Sequence, residues 1–254
     1  LQRIKRSIWL IMAGSVGNIT TDIIKSGLVF NMDAANRASY PKTGTTATDT
    51  IGNIVGTLSG ANGDNNTPQW ENTNNGAFNF DGTDDIITTV YNLNYDLTGA
   101  QTFSFWFNQP SSQSGGSYPV TFGSGSQIKF YIQFYDPLGR IRVKLFDGGG
   151  GDIDVTNLGV SYVSNGWHHI AFTTDATTTA DKVIMYFDGV PLSVKDTLSN
   201  SGVRAAGTSG FYFGKIPNAG FFKGLMSNFQ YYNRELSANE VLHNYNALKG
   251  RFGL

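Results

Sequence analysis

Ile128-Lys129-Phe130-Tyr131-Ile132-Gln133-Phe134-Tyr135-Asp136-Pro137-Leu138-Gly139-Arg140-Ile141-Arg142-Val143-Lys144-Leu145-Phe146 is the stretch that decides the fold. Its first half alternates Ile128, Phe130, Ile132 and Phe134 with Lys129, Tyr131, Gln133 and Tyr135. Its second half alternates Ile141, Val143 and Leu145 with Arg140, Arg142 and Lys144. Successive strand residues point to opposite faces, so a period of two marks a half-buried strand. Asp136-Pro137-Leu138-Gly139 places Asp, Pro and Gly where a turn takes them. Closing a hairpin over this turn pairs Phe134 with Ile141, Ile132 with Val143 and Phe130 with Leu145. The other face pairs Tyr135 with Arg140, Gln133 with Arg142 and Tyr131 with Lys144. A slip of one residue would invert both faces, so the register is well specified. One face is core and the other is wet.

Working outward, Thr102–Phe107 repeats the pattern with Phe103, Phe105 and Phe107 on one face. Lys182–Phe187 runs into Asp188-Gly189 and then Val190, the signature of a two-residue hairpin. One helix is evident. Ser237-Ala238-Asn239-Glu240 is a capping box, Leu236 and Val241 are placed as a hydrophobic staple, and Val241, Leu242, Tyr245 and Leu248 form the expected apolar face. The Asn- and Gly-rich stretches Gly60–Ala77 and Gly148–Gly151 read as long surface loops. The 18 Phe, 12 Tyr and 4 Trp supply ample area for a large core. The expected fold is all-β: a two-sheet antiparallel β-sandwich with one short C-terminal helix, forming a single domain over residues 27–254.

Residues 1–26 read as an N-terminal arm, too polar and Gly-rich for a core strand, that orders only against a neighbouring subunit or particle. Within it, three basic residues precede a short apolar run. This is open to three readings: upstream sequence before a natural start at Met12, which would set residues 1–11 apart; a short functional arm; or a secretion signal. Charged residues make up only 15%, and the net charge is −1. No basic field exists to hold a polyanion, so nucleic acid is not an expected partner. With no cysteine, disulfides, thiolate nucleophiles and thiolate metal sites are excluded together. No apolar run approaches the ~20 residues of a membrane helix, so no membrane insertion is expected.

Six segments in chain order carry a family resemblance. They are Leu28-Val29-Phe30-Asn31-Met32-Asp33 with Ser39-Tyr40-Pro41; Phe78-Asn79-Phe80-Asp81-Gly82-Thr83-Asp84-Asp85; Thr102–Phe107; Gly166-Trp167-His168-His169-Ile170-Ala171; Met185-Tyr186-Phe187-Asp188-Gly189-Val190; and Phe221 through Tyr232-Asn233-Arg234-Glu235-Leu236-Ser237. Together they resemble the laminin-G-like branch of the concanavalin A-like jelly rolls. The opening Asp33-Ala34-Ala35-Asn36 and Ser39-Tyr40-Pro41 further resembles such domains in tailed-phage and marine viral virions. The resemblance implies a jelly roll serving as a capsid-decoration, fibre or tail component. Its implied partners are other virion proteins, copies of itself in a homo-oligomer, and a host-surface glycan. The alternative is a secreted or cell-surface bacterial carbohydrate-binding module.

No catalytic residue is expected. Glucanases of this fold resemble one another in carrying two catalytic glutamates on one strand, and retaining chemistry needs carboxyl groups about 5–5.5 Å apart. Here the glutamates are Glu71 in an Asn-rich loop, Glu235, and Glu240 at the helix start. Asp152 and Asp154, two apart on one strand, read as a solvated edge. His168 and His169 are adjacent on a strand, point to opposite faces and share no ligand sphere, and His243 adds no metal spacing. No cofactor is expected. A structural calcium ion is the fold's usual metal, and Asp33 with Asn228, or Asp84 with Asp85, would be its oxygen ligands. The candidate glycan site is the wet hairpin face: Tyr131, Gln133, Tyr135, Arg142 and Lys144. Aromatic rings there would stack on sugar faces and polar groups would meet hydroxyls.

Overall fold

The computed structural model describes residues 22–60, 67–89, 94–95, 99–113, 116–123, 128–135, 139–146, 152–157, 159–163, 166–175, 183–199, 207–208, 210–217 and 219–254. Two large antiparallel sheets face each other. The nine-stranded sheet runs Val194–Ser199, Asp152–Asn157, Arg140–Phe146, Phe130–Tyr135, Gly116–Phe122, Phe211–Phe213, Ile86–Thr89, Val55–Ser59, Thr46–Thr48. The eight-stranded sheet runs Val190–Pro191, Val183–Phe187, His168–Asp175, Ala100–Asn108, Lys223–Tyr232, Ala77–Asp81, Gln69–Glu71, with Leu28–Met32 also pairing to Lys223–Tyr232.

The central hairpin has the expected register. Phe134 pairs with Ile141, Ile132 with Val143 and Phe130 with Leu145, while Tyr135, Gln133 and Tyr131 pair with Arg140, Arg142 and Lys144. Residues 136–138 of its turn lie outside the described residues; Gly139 takes the left-handed φ of 62° that ends it. The six apolar residues are at most 1% exposed and meet Phe103, Phe105, Phe107 and Phe172 of the facing sheet. The second hairpin also forms: Phe187 pairs with Val190 across Asp188 (φ 50°) and Gly189 (φ 78°). Both central residues are left-handed, as a type I′ turn requires.

Outside the sandwich lies a third layer. The helix Ala238–Lys249 starts at the expected capping box, where the Glu240 backbone N–H donates to Ser237 Oγ and the Ser237 N–H donates to Glu240. Arg234 donates twice to the Glu240 carboxylate and holds it down to about 2. Leu236 and Val241 are both buried, as a staple should be. The helix and the short 3-10 turn Gly250–Phe252 cover Trp106, Trp167 and Ala77. This cover is why Ala100–Asn108 buries both faces, Trp106 and Ser104 as well as the phenylalanines.

Three expectations change. Leu242 is exposed, and Asn244 takes the buried place on the helix because its amide accepts from Ile24 N and donates to Tyr232 Oη. The stretch Gly60–Ala77 is not all loop: Gln69–Glu71 is an edge strand, fixed by Trp70, whose Nε1–H donates to Ala34 O at 2.9 Å. Gly148–Gly151 lies outside the described residues. The arm's boundary moves as well. Residues 22–26 dock on the domain itself: Tyr232 Oη donates to Ile24 O, Arg234 Nε donates to Ser26 O, and Ile24 packs beside Leu236 and Val241. A variant starting at Asp22 should therefore be more stable than one starting at Gly27, because the longer deletion orphans buried polar groups on Asn244 and Tyr232. The expected difference, read as a chemical-denaturation midpoint, is about 1–3 kcal/mol. Equal midpoints would return these residues to the arm.

Candidate functional site

The outer face of the central hairpin carries the candidate glycan residues, and the structure brings all five together. Tyr131 and Gln133 are not wet. They are 7% and 5% exposed, whereas Tyr135 at the strand end is 46% exposed. Tyr118 of the neighbouring strand contributes to this difference. Its ring stands edge-on to Tyr131 at 5.4 Å, and its hydroxyl accepts from Gln133 Nε2 at 3.0 Å. Tyr118 was hidden from sequence reading by Pro119, which normally demotes a strand. A register shift opposite Ile132–Phe134 accommodates that proline.

Arg142 completes the floor. Its Nε donates to Asp154 Oδ1 at 2.7 Å, its Nη2 donates to Asp154 Oδ2, and its Nη1 reaches Gln133 Oε1 at 3.4 Å. The guanidinium also sits 5.9 Å from the Tyr131 ring centroid. Its side chain remains 33% exposed while that of Asp154 is 9% exposed. Lys144 lies over Phe146 at 4.9 Å, and Phe146 packs against Tyr131 at 5.7 Å. Burial pushes the Tyr118 hydroxyl up, so it stays protonated at neutral pH. The arrangement is a locked polar–aromatic floor with an open ring, Tyr135, at its end. Such a surface can stack a sugar and hydrogen-bond its hydroxyls without reorganising.

The remaining candidates have structural partners. Glu71 sits on the edge strand and accepts from Asn79 Nδ2, and Glu240 belongs to the helix cap. Asp154 is bound by Arg142, and the Asp152 side chain lies outside the described set. The two histidines separate as expected. His168 packs on Phe107 and Phe187, with Nδ1 2.9 Å from Asp188 Oδ2, while His169 lies beneath the helix against Trp106 and Tyr245. His243 Nε2 lies 3.0 Å from Asp22 O.

Asp33 and Asn228 do come together, with Asn228 Nδ2 3.3 Å from Asp33 Oδ2. Their cation is Arg251, which donates to both Asp33 oxygens, to Asn74 O, to Gly76 O and to Ser227 Oγ. The Asp33 carboxylate is thus engaged by a guanidinium, and Asn228 Oδ1 accepts from Gln230 Nε2 at 2.8 Å. Asp81, Asp84 and Asp85 bring carboxylate oxygens within 4.8 Å of one another. Asp81 Oδ1 already accepts from the backbone N–H groups of Thr83 and Asp84, the construction of an Asx turn. Burial, with Asp81 and Asp84 beside it, pushes the Asp85 carboxyl up to about 6.

The profile described as the concanavalin A-like lectin/glucanases superfamily matches residues 80–242. No curated protein matches the sequence. Among solved structures, the receptor-binding domain of botulinum neurotoxin type G aligns with TM-score 0.60 and 16% identity over 87% of this chain and 51% of that one. The binding domain of botulinum neurotoxin DC, in complex with SialylT, aligns with TM-score 0.63 and 16% identity over 87% of this chain and 52% of that one. Trypanosoma rangeli sialidase aligns with TM-score 0.58 and 16% identity over 88% of this chain and 33% of that one. The chain thus spans about half the length of the neurotoxin domains and a third of the sialidase, and at these identities the likeness is one of fold. With most of the chain matched in sequence and both sheets in place, the protein belongs to the concanavalin A-like lectin/glucanases superfamily.

Proposed function

We propose that the protein is a non-catalytic, lectin-like structural component of a virion that binds glycans on the outer face of its nine-stranded sheet. The observation that carries the binding reading is the 46% exposed Tyr135 ring beside the Tyr118–Gln133–Arg142 network. A fixed aromatic platform next to prearranged donors and acceptors is the chemistry a sugar ring needs. The neurotoxin DC binding domain, about half of which aligns with this chain, was solved in complex with SialylT, which is in keeping with a glycan ligand. The reading as a non-enzyme rests on the glutamates, two of which serve a strand edge and a helix cap. The virion setting, with virion proteins and further copies of this chain as partners, rests on the resemblance of the Asp33–Pro41 segment.

The test is a glycan-array screen followed by titration of the best glycan. Tyr135→Ala should weaken binding about tenfold, the loss of one stacking ring, with the melting temperature unchanged. No reducing sugar should be released from the bound glycan. Binding that survives Tyr135→Ala at full strength would move the site elsewhere, and hydrolysis abolished by a single carboxylate substitution would make the protein an enzyme.

A further inference from the structure

We propose that the C-terminal segment Ser237–Leu254 is an acid-released cover over the outer face of the eight-stranded sheet, with His169 as the group whose protonation loosens it. The segment closes an aromatic layer. Trp106 is stacked with Phe252 at 4.1 Å and with Tyr245 at 5.5 Å, and Trp167 lies 4.8 Å from Phe252. The His169 ring sits in the same layer, 5.2 Å from Trp106 and 6.0 Å from Tyr245, and the residue is 2% exposed. His169 Nδ1 and Trp106 Nε1 are both buried without a hydrogen-bond partner among the described residues. The layer thus offers a proton on His169 Nδ1 no acceptor among the described residues.

The charged groups around the ring do not compensate. Asp188, in the adjoining hairpin turn, accepts from the His169 backbone N–H at 2.8 Å and lies 2.9 Å from His168 Nδ1, so both its oxygens are engaged. From the C-terminal segment, Lys249 lies over the Tyr245 ring at 5.7 Å and Arg251 over the Phe252 ring at 4.8 Å. These two cations oppose a third charge in the layer. The central strand contributes only the uncharged Trp106. Burial holds the His169 imidazole down to about 4, with Asp188 pulling weakly the other way.

The sign follows from linkage. Lifting the segment returns the imidazole to water and to its ordinary value near 6.5. The open form then binds a proton that the closed form refuses. Closure is fully favoured above pH 6.5 and weakens about tenfold per pH unit as pH falls towards 4, about 300-fold in all. Glu240, held down to about 2, stays charged throughout this window, so its pairing with Arg234 keeps the start of the helix anchored. The end that opens is the one carrying Tyr245 and Phe252. Arg251, clamped to Asp33, keeps the closed form dominant at pH 7.

Hydrogen exchange read by mass spectrometry, corrected for intrinsic pH dependence, tests this on the full chain. Between pH 7 and pH 4.5, protection of residues 245–252 should fall about 100-fold while that of residues 130–135 holds. His169→Phe, which keeps a ring and cannot titrate, should hold its protection across the same interval. His169→Gln gives the same comparison if the phenylalanine variant does not fold. Undiminished protection in the wild type, equal loss in both variants and wild type, or simultaneous loss from residues 130–135 would each overturn the proposal.

Discussion

Arg251→Met should lower folding stability by about 3–5 kcal/mol, the cost of breaking a buried charge pair on one side only. The guanidinium makes five hydrogen bonds to four residues from three separate parts of the chain: Asp33 at the end of the first strand, Asn74 O and Gly76 O in one turn, and Ser227 Oγ. The Arg251 and Asp33 side chains are only 13% and 15% exposed, so methionine would leave the Asp33 carboxylate under cover with no cation, held only by the Ala35 N–H and Asn228 Nδ2, and would take the guanidinium donor from Asn74 O. The Lys25–Asp22 pair provides the contrast. It is as short, at 2.7 Å, but 73% and 78% exposed, and Lys25→Ala should leave the unfolding midpoint nearly unchanged. Distance is nearly the same in the two pairs, 2.8 and 2.7 Å, and burial decides the outcome. Asp33→Asn combined with Arg251→Met should cost less than the sum of the single changes, since the neutral amide no longer needs a cation. Urea midpoints at constant slope would measure all of these. An Arg251→Met midpoint within about 0.5 kcal/mol of wild type would mean that the clamp is ornamental.

The contrast between the two hairpin faces shows how far sequence reading reaches. Period-two alternation and the turn at Gly139 are local, and the register they imply is the one formed, pair for pair. The helix start was legible for the same reason: Ser237 and Glu240 are three residues apart and satisfy each other. What local pattern cannot carry is the identity of the layer that covers a face. Tyr131 and Gln133 look wet in sequence because they alternate with core residues, yet Tyr118 closes on them from a strand whose proline disguises it. Leu242 and Asn244 exchange roles because residues 22–26 bring backbone groups that an amide can bind and a leucine cannot. Arg251 is the extreme case. It lies 218 positions from Asp33, and nothing near it in the sequence announces a clamp. The glycan surface was therefore legible as a set of residues, and the open ring within that set only in three dimensions.

The hairpin also yields a paired prediction from two adjacent residues. Phe134→Ala should cost about 3–5 kcal/mol, and Tyr135→Ala no more than about 0.5 kcal/mol. Phe134 is fully buried and touches four rings: Phe107 at 4.7 Å, Tyr162 at 4.9 Å, Phe222 at 6.1 Å and Phe105 at 6.5 Å. These belong to the facing eight-stranded sheet and to two connecting segments, so no single element can move inward to fill the space the ring leaves. The cavity term then adds to the lost transfer energy, which sets the upper part of the range. Tyr135 is 46% exposed, and its truncation leaves the core as it was. For a domain of this size each kcal/mol moves the melting temperature by about 2–4 °C, so the two variants should melt on the order of 10 °C apart. The functional outcome should invert. Phe134→Ala, wherever it remains folded, should keep its glycan affinity, because the Tyr118–Gln133–Arg142 floor and the Tyr135 ring lie on the opposite face of the sheet. A stable Phe134→Ala protein, or a Tyr135→Ala protein that melts with it, would show that the two faces are not the independent core and binding layers that the strand parity requires.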